Sequence, residues 1–264
     1  MPLLDPFGHE LKFSRPPQRI VSLVPSQTEL LSDLGLDAEV AGITKFCIHP
    51  DSWFRSKPRI GGTKTVDIDK VAALEPDLVL ANKEENVREQ VEALAKKIPT
   101  WASDISTLEQ ALDAIRNIGV LVHREKRATS LAREIEGGFE GLGAMLDNRP
   151  RAAYLIWKDP YMSVGADTFI HDMLERLGVQ NVFAGRTRYP EVAVGELLSC
   201  NLVLLSSEPY PFAQKHIDEL QAQLPNARIV LVDGELFSWY GSRLLHTPAY
   251  FAALRRDLGI FSIE

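Results

Sequence analysis

The sequence predicts an α/β protein with two Rossmann-like lobes, each built on a central parallel sheet and joined by one long linker α-helix. Three observations support this prediction. Short apolar runs alternate with segments of helical periodicity, which is typical of parallel α/β sheets. The order of these segments in the first half recurs in the second half. A further segment of helical periodicity, residues 124–148, lies between the halves.

The first half opens with a strand of β-branched residues, RIVSLV at 19–24, bounded by prolines. The next segment, residues 28–36, has helical apolar spacing and reaches Gly35, which favours a glycine cap. The remaining predicted elements are a helix at 67–74, a strand at 76–81, a helix at 86–97, a strand at 98–103 and a helix at 107–122.

The second half keeps this order. Its predicted elements are a strand at 151–157, a helix at 167–179, strands at 201–207 and 227–233, and a closing helix at 248–258. The strand NLVLLSS echoes PDLVLAN of the first half, and QNVFAGR echoes DAEVAGI. These matched segments indicate two related lobes.

The predicted domains are an N-terminal lobe at 1–122, a linker helix at 123–148 and a C-terminal lobe at 149–264. Apolar residues of the linker recur at helical spacing, at Leu131, Ile135, Phe139 and Leu142. Four glycines in its C-terminal half each disfavour a helix by about 1 kcal/mol relative to alanine. That half is therefore expected to be bent, frayed or closely packed.

The stretch VPSQTELL, residues 24–31, joins the first strand to the first helix. It lacks the glycines of a P-loop, a dinucleotide-binding loop or a nucleophile elbow. Ser26 and Glu29 have the spacing of a capping box, in which each side chain bonds the other residue's amide. The stretch follows the carboxyl end of a parallel strand, where open α/β sheets bind ligands. Pro25, Ser26 and Gln27 are therefore predicted to line a ligand site.

Predicted loops at strand ends are rich in aromatic residues, which favours a binding cleft over a core. These aromatic residues are Trp157, Tyr161, Tyr189, Tyr210, Phe212, Trp239 and Tyr240. The run NKEEN follows the strand at 76–81. Its Lys83, together with Arg243 and the helix end at Ser26, is expected to bind polar or anionic groups of a ligand.

The chain has 264 residues, is 45% hydrophobic and carries a formal net charge of −7. That acidic balance argues against nucleic acid or an anionic membrane as the main partner. No window approaches the roughly 18 apolar residues of a membrane span. The N-terminus lacks the basic and apolar regions of a signal peptide, so a cytoplasmic location is expected if Met1 is the native start.

The composition also bears on metal and redox chemistry. Cys47 and Cys200 form no C-x-x-C pair, and the six histidines include no H-x-x-x-H or H-E-x-x-H pair. No resident metal or cofactor is predicted. Direct metal binding through His49, His246 and carboxylates remains a weaker alternative.

Three stretches resemble the class III substrate-binding proteins of ABC importers, also called helical-backbone metal receptors, and most closely their cobalamin-binding branch. They are DPFGHELKFSRPPQRIVSLVPSQTELLSDLGL, IGGTKTVDIDKVAALEPDLVLANKEENVREQVEAL and LFSWYGSR. The resemblance implies two α/β lobes held by one long helix, with the ligand in a cleft between the lobes. It also implies a periplasmic, non-enzymatic binding protein that works with an ABC permease.

The resemblance assigns ligand contacts residue by residue. Thr63 and Asn82 stand where the cobalamin receptor has tryptophans, which implies a more polar site. The full set of predicted ligand-binding residues is Pro25, Ser26, Gln27, Phe46, His49, Thr63, Asn82, Lys83, Trp157, Tyr161, Tyr189, Trp239, Tyr240 and Arg243. The receptor also has one acidic residue in each lobe that docks on the transporter; Asp69 lies near the first of these positions, and Gly195 or Glu196 aligns with the second, of which Glu196 is the predicted docking residue.

The leading hypothesis is a monomeric binding protein for a cobalamin-like ligand or another metal chelate, such as haem or a ferric siderophore. The alternative is a cytoplasmic relative that acts as a sensor or enzyme on a small metabolite in the same cleft. The native N-terminus and the ligand retained during purification would discriminate between the two.

Overall fold

The computed structural model describes residues 3–4, 8, 10–143 and 148–260. Contacts divide the chain into two compact units. Unit 1 extends to Ile105 and also contains Glu109–Glu136 and Trp239–Leu245. Unit 2 contains Ser106–Leu108, Gly137–Ser238 and the chain from His246 onward. The division into 1–122, 123–148 and 149–264 stays a prediction, and these units follow different boundaries.

Unit 1 contains a small antiparallel pair and a four-stranded parallel sheet. The pair is β1 (Leu3–Leu4) and β2 (Glu10–Leu11). The sheet is formed by β3 (Ile20–Ser22), β4 (Val40–Ile43), β5 (Leu78–Asn82) and β6 (Thr100–Ser103), in the order β4-β3-β5-β6. Its helices are α1 (Pro25–Asp33), α2 (Asp51–Ser56), α3 (Ile68–Ala73), α4 (Arg88–Ala95), α5 (Leu108–Leu121) and α6 (Glu125–Glu140), of which α5 begins and α6 ends in unit 2.

Unit 2 contains the second four-stranded parallel sheet. Its strands are β7 (Arg151–Leu155), β8 (Gln180–Asn181), β9 (Leu202–Ser206) and β10 (Arg228–Val232), in the order β10-β9-β7-β8. Its helices are α7 (Phe169–Leu177), α8 (Gln214–Gln221), α9 (Glu235–Ser238) and α10 (Thr247–Leu258), with a 3₁₀ helix at Val194–Ser199. A second 3₁₀ helix, Ser242–Leu245, belongs to unit 1.

The two sheets have the same strand order. When the strands of each unit are numbered along the chain, both sheets follow the order 2-1-3-4. All five residues of β5 and all five of β9 are buried, as expected for parallel strands covered on both faces. The predicted α/β class with two related parallel sheets is therefore confirmed.

Seven of the described strands and α-helices have no counterpart in the prediction: β1, β2, β4, α2, β8, α8 and α9. Four are strands of two to four residues and two are helices of four to six, too short for a periodic signal. The remaining one, α8, is eight residues long and mostly polar, with only His216 and Leu220 buried.

The predicted linker helix is shorter than expected. It ends at Glu140 rather than 148, and residues 144–147 lie outside the described residues. Gly143 has a φ of +73°, which ends helical geometry at low cost only for glycine. A Cβ on Gly138 would lie 2.9 Å from Pro248, so close packing accounts for that glycine.

The C-terminus of α1 confirms the predicted glycine cap. Gly35 has a φ of +77°, and its amide donates to Ser32 O at 2.8 Å. The amide of Leu36 donates to Leu31 O at 3.1 Å. These two bonds form a Schellman motif, which satisfies the last carbonyl groups of the helix.

Within the described part of the chain, no helix combines the length and apolar character needed to cross a membrane. Both cysteines, Cys47 and Cys200, are buried free thiols.

Arg255 of α10 is a structural residue of unit 2. It donates from Nε to Leu177 O at 3.0 Å, from Nη2 to Arg176 O at 2.7 Å and from Nη1 to Leu142 O at 2.5 Å. A cation at the C-terminus of α7 also opposes the negative end of the helix dipole. We expect Arg255→Gln to lower the free energy of unfolding by about 2 kcal/mol, since partly buried carbonyl groups lose a charged donor.

The matched control is Arg256→Gln, which changes the exposed neighbour on the same helix. We expect it to stay within about 0.5 kcal/mol of the parent. Urea denaturation followed by circular dichroism gives both values, and equal losses in the two variants would contradict this role of Arg255.

Candidate functional site

The candidate site of unit 1 lies at the carboxyl ends of β3 and β5. These strands are neighbours, but the chain leaves β3 towards β4 on one side and β5 towards β6 on the other. Ligands of open α/β sheets bind at such a switch point.

The start of α1 differs from the predicted capping box. The helix begins at Pro25, with Val24 as its N-cap in an extended conformation, and no side chain caps it. Proline is favoured at this first position because its fixed φ suits a helix and its missing amide costs no hydrogen bond there. Ser26 therefore lies inside the first turn, and Glu29 bonds Arg243 instead of the Ser26 amide. The predicted capping box is wrong.

A buried hydrogen-bond network at this edge joins the first turn of α1 to the ends of β5 and β6. Gln27 donates from Nε2 to Ala81 O at 3.1 Å and to Ser103 Oγ at 2.9 Å. Asn82 donates from Nδ2 to the same Ser103 Oγ at 2.9 Å. Ser103, at the end of β6, was not singled out in the sequence, although its position as the last residue of a predicted strand was a usable signal. The network fixes Gln27 and Asn82, two predicted ligand residues, inside the unit.

Asn82 also organises the loop that follows β5. Its Oδ1 accepts hydrogen bonds from the backbone amides of Glu84 at 2.8 Å and Glu85 at 3.0 Å. The backbone amide of Asn82 donates to Asn86 Oδ1 at 2.9 Å. Asn86 donates in turn to the carbonyl of the buried Thr63 at 3.0 Å. Asn82 and Thr63 therefore act in the structure as buried supports of the loops, and ligand contact by either stays a prediction.

Lys83 is exposed and already pairs with an acid. Its Nζ lies 2.5 Å from Asp104 Oδ2, with the lysine side chain 58% exposed. An exposed pair of this kind contributes little to stability, so Lys83 can exchange partners with an anionic ligand at small cost.

Residues Trp239–Leu245, here named the strap, lie against α1 within unit 1 although the chain on both sides belongs to unit 2. Gly241 makes the closest approach. A Cβ on Gly241 would lie 2.4 Å from the carbonyl oxygen of Ser26 and 3.6 Å from Cβ of Leu30. Only glycine permits this contact between the strap and the first turn of α1.

An ion pair fastens the strap to α1. Arg243 donates from Nε to Glu29 Oε2 at 2.8 Å and from Nη2 to Glu29 Oε1 at 2.6 Å. Its guanidinium also lies 4.8 Å from the centre of the Trp239 ring. The side chains of Arg243 and Glu29 are only 15% and 18% exposed. Arg243 pairs with Glu29 in this structure, and its expected role as a cation for ligand anions stays a prediction.

The aromatic residues of the strap are more buried than the sequence suggested. Trp239 is 7% exposed and Tyr240 is 5% exposed. Burial, and then the charges of Glu85 and Glu84, raise the pKa of the Tyr240 phenol well above its usual value. The expectation of exposed rings is wrong for these two residues, and also for Phe212, which is buried in the core of unit 2.

The loop after β4 carries two exposed apolar side chains. Phe46 is 51% exposed and Ile48 is 43% exposed, and Lys45 Nζ lies 5.0 Å from the centre of the Phe46 ring. His49 contacts Trp239 edge to face, with ring centres 5.6 Å apart. We call Phe46, Ile48, His49 and Trp239 the unit 1 aromatic face.

Cys47 is the buried anchor of the same loop. Its Sγ lies 3.1 Å from the hydroxyl groups of both Thr28 and Thr44. Burial raises the pKa of the Cys47 thiol. The thiol therefore remains protonated and serves to hold the loop against α1, with Phe46 and Ile48 on its exposed side.

Unit 2 has its own aromatic group at the carboxyl ends of β7 and β9. Trp157 is 41% exposed and contacts Tyr210 edge to face at 5.6 Å. Tyr210 contacts Phe212 at 4.7 Å and His216 at 5.4 Å. We call Trp157, Tyr210, Phe212 and His216 the unit 2 aromatic cluster. His216 was missed because a lone histidine in a polar segment gives no signal in the sequence.

Tyr161 and Tyr189, the other two predicted residues of unit 2, lie in its surface loops. Tyr161 is half-buried and packs against the core of the unit beside Tyr210. Burial raises the pKa of its phenol. Tyr189 stacks under Arg188, whose guanidinium carbon lies 5.5 Å from the ring centre. The structure places Tyr161 near the aromatic cluster and gives no ring contact that joins Tyr189 to it.

Both predicted docking acids are exposed. Asp69 lies in the first turn of α3. Glu196 lies in the 3₁₀ helix, pairs with Arg186 and accepts the amide of Ala193 at 2.9 Å. The Ala193 bond and then the Arg186 pair lower the pKa of the Glu196 carboxyl.

A cavity of about 380 Å³ opens beside Glu196 in unit 2. Its walls include Phe183, Arg186 and Arg151, the last being the first residue of β7. It therefore reaches the amino end of that strand, whereas the aromatic cluster follows the carboxyl end. The cavity is not the candidate ligand site.

Among the residues that the structure describes, no three or more His, Cys, Asp or Glu side chains are grouped so as to hold a metal ion. The alternative of direct metal binding through His49, His246 and carboxylates therefore has no support from the geometry.

Comparisons with known proteins agree with one another. A family model described as "Periplasmic binding protein" matches residues 20–205. The chain is 23% identical over 188 residues to a vitamin B12-binding protein of Vibrio campbellii, covering 70% of this chain and 68% of that protein. It is 25% identical over 208 residues to the Bacillus subtilis protein YvrC, an uncharacterized ABC transporter substrate-binding lipoprotein, covering 75% of this chain and 65% of the relative.

A solved structure has a similar fold. The periplasmic heme-binding protein RhuT from Roseiflexus sp. RS-1, in its apo form, superposes with a TM-score of 0.76 at 19% identity. The match covers 91% of this chain and 98% of that chain. At this identity the similarity concerns the fold alone.

Proposed function

The chain belongs to the periplasmic binding protein family, and on that premise we propose that it is the ligand receptor of an ABC importer for a flat metal chelate, a corrinoid or a haem. The family match covers residues 20–205, which include the carboxyl ends of β3 and β5 in unit 1 and of β7 in unit 2. Because this family consists of binding proteins, the prediction that the chain is not an enzyme and uses no cofactor is confirmed. The sensor or enzyme alternative is not favoured.

The observation that carries the proposed ligand class is the exposed apolar surface at the edge of unit 1. Phe46 and Ile48 lie in one loop, and about half of each side chain is exposed. Cys47, between them in the sequence, is fully buried. Large exposed apolar side chains that adjoin a histidine and a tryptophan are typical of a ligand surface. A broad conjugated ring would cover the Phe46 ring and remove both side chains from water.

The charges near this face fit a chelate with acidic or amide substituents. Lys45 and Lys83 are exposed cations at the same edge of unit 1, after β4 and after β5 respectively. The propionates of a haem or the phosphate of a corrinoid would pair with a lysine there. The amide groups of a corrinoid would donate hydrogen bonds to loop carbonyls. Both ligands are named for relatives, vitamin B12 for one and haem for the other.

We propose further that the protein works outside the cytoplasmic membrane as a monomer, with Asp69 and Glu196 facing a permease. Support comes from the relatives, which are named as periplasmic or lipoprotein receptors, and from the exposure of both acids. Charge-reversal variants Asp69→Lys and Glu196→Lys should weaken permease binding but leave ligand affinity unchanged. An unchanged permease affinity would refute the docking roles.

We expect Phe46→Ala to raise the Kd for hydroxocobalamin or haemin about tenfold, the cost of an apolar contact worth about 1.4 kcal/mol. Quenching of tryptophan fluorescence gives the Kd, because Trp239 belongs to the unit 1 aromatic face and Trp157 to the unit 2 aromatic cluster.

The matched control is Val120→Ala on α5, where an apolar side chain is also about 40% exposed but lies away from the sheet edge. It should leave the Kd unchanged. Absence of saturable quenching by both hydroxocobalamin and haemin would refute the proposed ligand class, and so would saturable quenching by a ferric hydroxamate alone.

A further inference from the structure

A short chain of hydrogen bonds ends at Tyr210 in unit 2. The amide of Ala213 donates to Nδ1 of His216 at 2.9 Å, and Nε2 of His216 lies 3.3 Å from the hydroxyl oxygen of Tyr210. Ala213 immediately precedes α8 and His216 lies in its first turn, so the imidazole caps its own helix. His216 is buried, and its ring also meets Phe212 edge to face at 5.4 Å.

This geometry fixes the tautomer of His216. A backbone amide can only donate, so Nδ1 must be the unprotonated nitrogen. The imidazole hydrogen then sits on Nε2 and is donated to the Tyr210 oxygen. The phenolic hydrogen of Tyr210 is left to donate elsewhere, and the described residues offer it no acceptor.

We propose that His216 is a positioning residue that makes Tyr210 a hydrogen-bond donor towards the ligand, so that the ligand must present an acceptor oxygen beside Trp157. Tyr210 contacts Trp157, the exposed member of the cluster, through its ring. The inference rests on the proposed function, since it assigns Tyr210 to the ligand surface. It adds a specificity rule: a carboxylate, carbonyl or phosphate oxygen binds there, and a donor group does not.

The same chain of bonds makes the cluster sensitive to acid. A doubly protonated His216 would carry a hydrogen on Nδ1, which would face the Ala213 amide hydrogen and break the cap. The added charge would also lie at the positive N-terminus of α8, near Lys215 of that helix and Lys158 of the loop after β7. Glu219 of α8 opposes this effect, but it is paired with Lys158.

The pKa of His216 is accordingly lowered, first by burial and then by Lys158 and Lys215. The unfolded chain therefore binds the proton more readily than the folded one. The stability contributed by neutral His216 is present above the unfolded pKa, about 6.5, and is lost as the pH falls through the lower folded pKa. Order in the cluster, and any affinity that depends on it, should decline in the same window.

The test compares the full-length parent with His216→Gln, His216→Phe and Tyr210→Phe. Glutamine at this position can still accept the Ala213 amide, as in a capping box, but does not titrate. In the parent, the Kd for haemin should rise by up to about tenfold per pH unit below the folded pKa. His216→Gln should bind at neutral pH with little added pH dependence, whereas His216→Phe should bind weakly throughout.

Two measurements on the free protein keep this proposal separate from the ligand assignment. Side-chain ¹⁵N spectra at pH 7.5 should show the Nε2–H tautomer of His216, and the Nδ1–H tautomer would overturn the proposal. The Trp157 contribution to fluorescence, obtained by difference with Trp157→Phe, should change with acid in the parent but not in His216→Gln. If the pH dependence of Trp157 fluorescence were the same in the parent and in His216→Gln, the proposal would also be overturned, whether or not haemin binds. Unchanged haemin affinity in Tyr210→Phe would overturn the specificity rule.

Discussion

Glu29→Gln should lower the free energy of unfolding of unit 1 by about 2–3 kcal/mol. The substitution removes the carboxylate that Arg243 contacts in a mostly buried position above Trp239. Breaking a buried pair from one side costs about 3–5 kcal/mol, and the residual exposure of both side chains reduces that figure. Urea denaturation in a Trp157→Phe background measures it, because the remaining tryptophans, Trp53, Trp101 and Trp239, all belong to unit 1.

The control for this variant is Glu92→Gln. Glu92 pairs with Arg88 on the surface of α4, where the side chains are 42% and 71% exposed. Loss of an exposed pair should cost no more than about 0.5 kcal/mol. Similar losses of unfolding free energy for Glu29→Gln and Glu92→Gln would show that the Glu29–Arg243 pair stabilises the protein no more than an exposed surface pair does.

Gly241→Ala should be about as damaging, with a loss of about 2–4 kcal/mol in the same assay. The added methyl group would lie 2.4 Å from the Ser26 carbonyl oxygen and 3.1 Å from its carbon. Both are backbone atoms of the first turn of α1, so the strap must shift instead, and overpacking of this kind is costly. The shift would also move Trp239 away from His49, so we expect a higher Kd for haemin.

Gly137→Ala is the opposite case and serves as the control. Gly137 lies inside α6, and a Cβ there would meet nothing within 4 Å. Alanine should therefore stabilise the protein by about 0.5–1 kcal/mol through its better helix propensity. An unchanged stability for Gly241→Ala would mean that the strap does not depend on close contact with Ser26.

The sheets were predictable from the sequence because their strands are continuous apolar runs, such as LVLAN and LVLLS, separated by helical periodicity. The fold class and the order of the strands along the chain follow from apolar patterns that depend only on near neighbours in the sequence. The pairing order 2-1-3-4 was not derivable in this way, since it depends on which strand each crossover reaches.

The site was only partly predictable. The sequence located the loops, and two of the predicted ligand residues, Phe46 and Trp157, are exposed. It could not show that Glu29 would meet Arg243, 214 positions away. A local rule assigned Glu29 to a capping box, and the proline at the first helical position overrode that rule. The buried roles of Asn82 and His216 likewise depend on partners brought together by the fold.

The strap has a consequence for synthesis in the cell. Unit 1 receives residues 239–245 last, so its sheet can form early but Gly241 and Arg243 arrive only after most of the 264-residue chain has been translated. Until then Glu29 has no arginine partner from the strap, and the first turn of α1 is open to water. A fragment ending at residue 136 would preserve that unfinished state, and the ribosome must pass residue 245 before unit 1 can reach full stability.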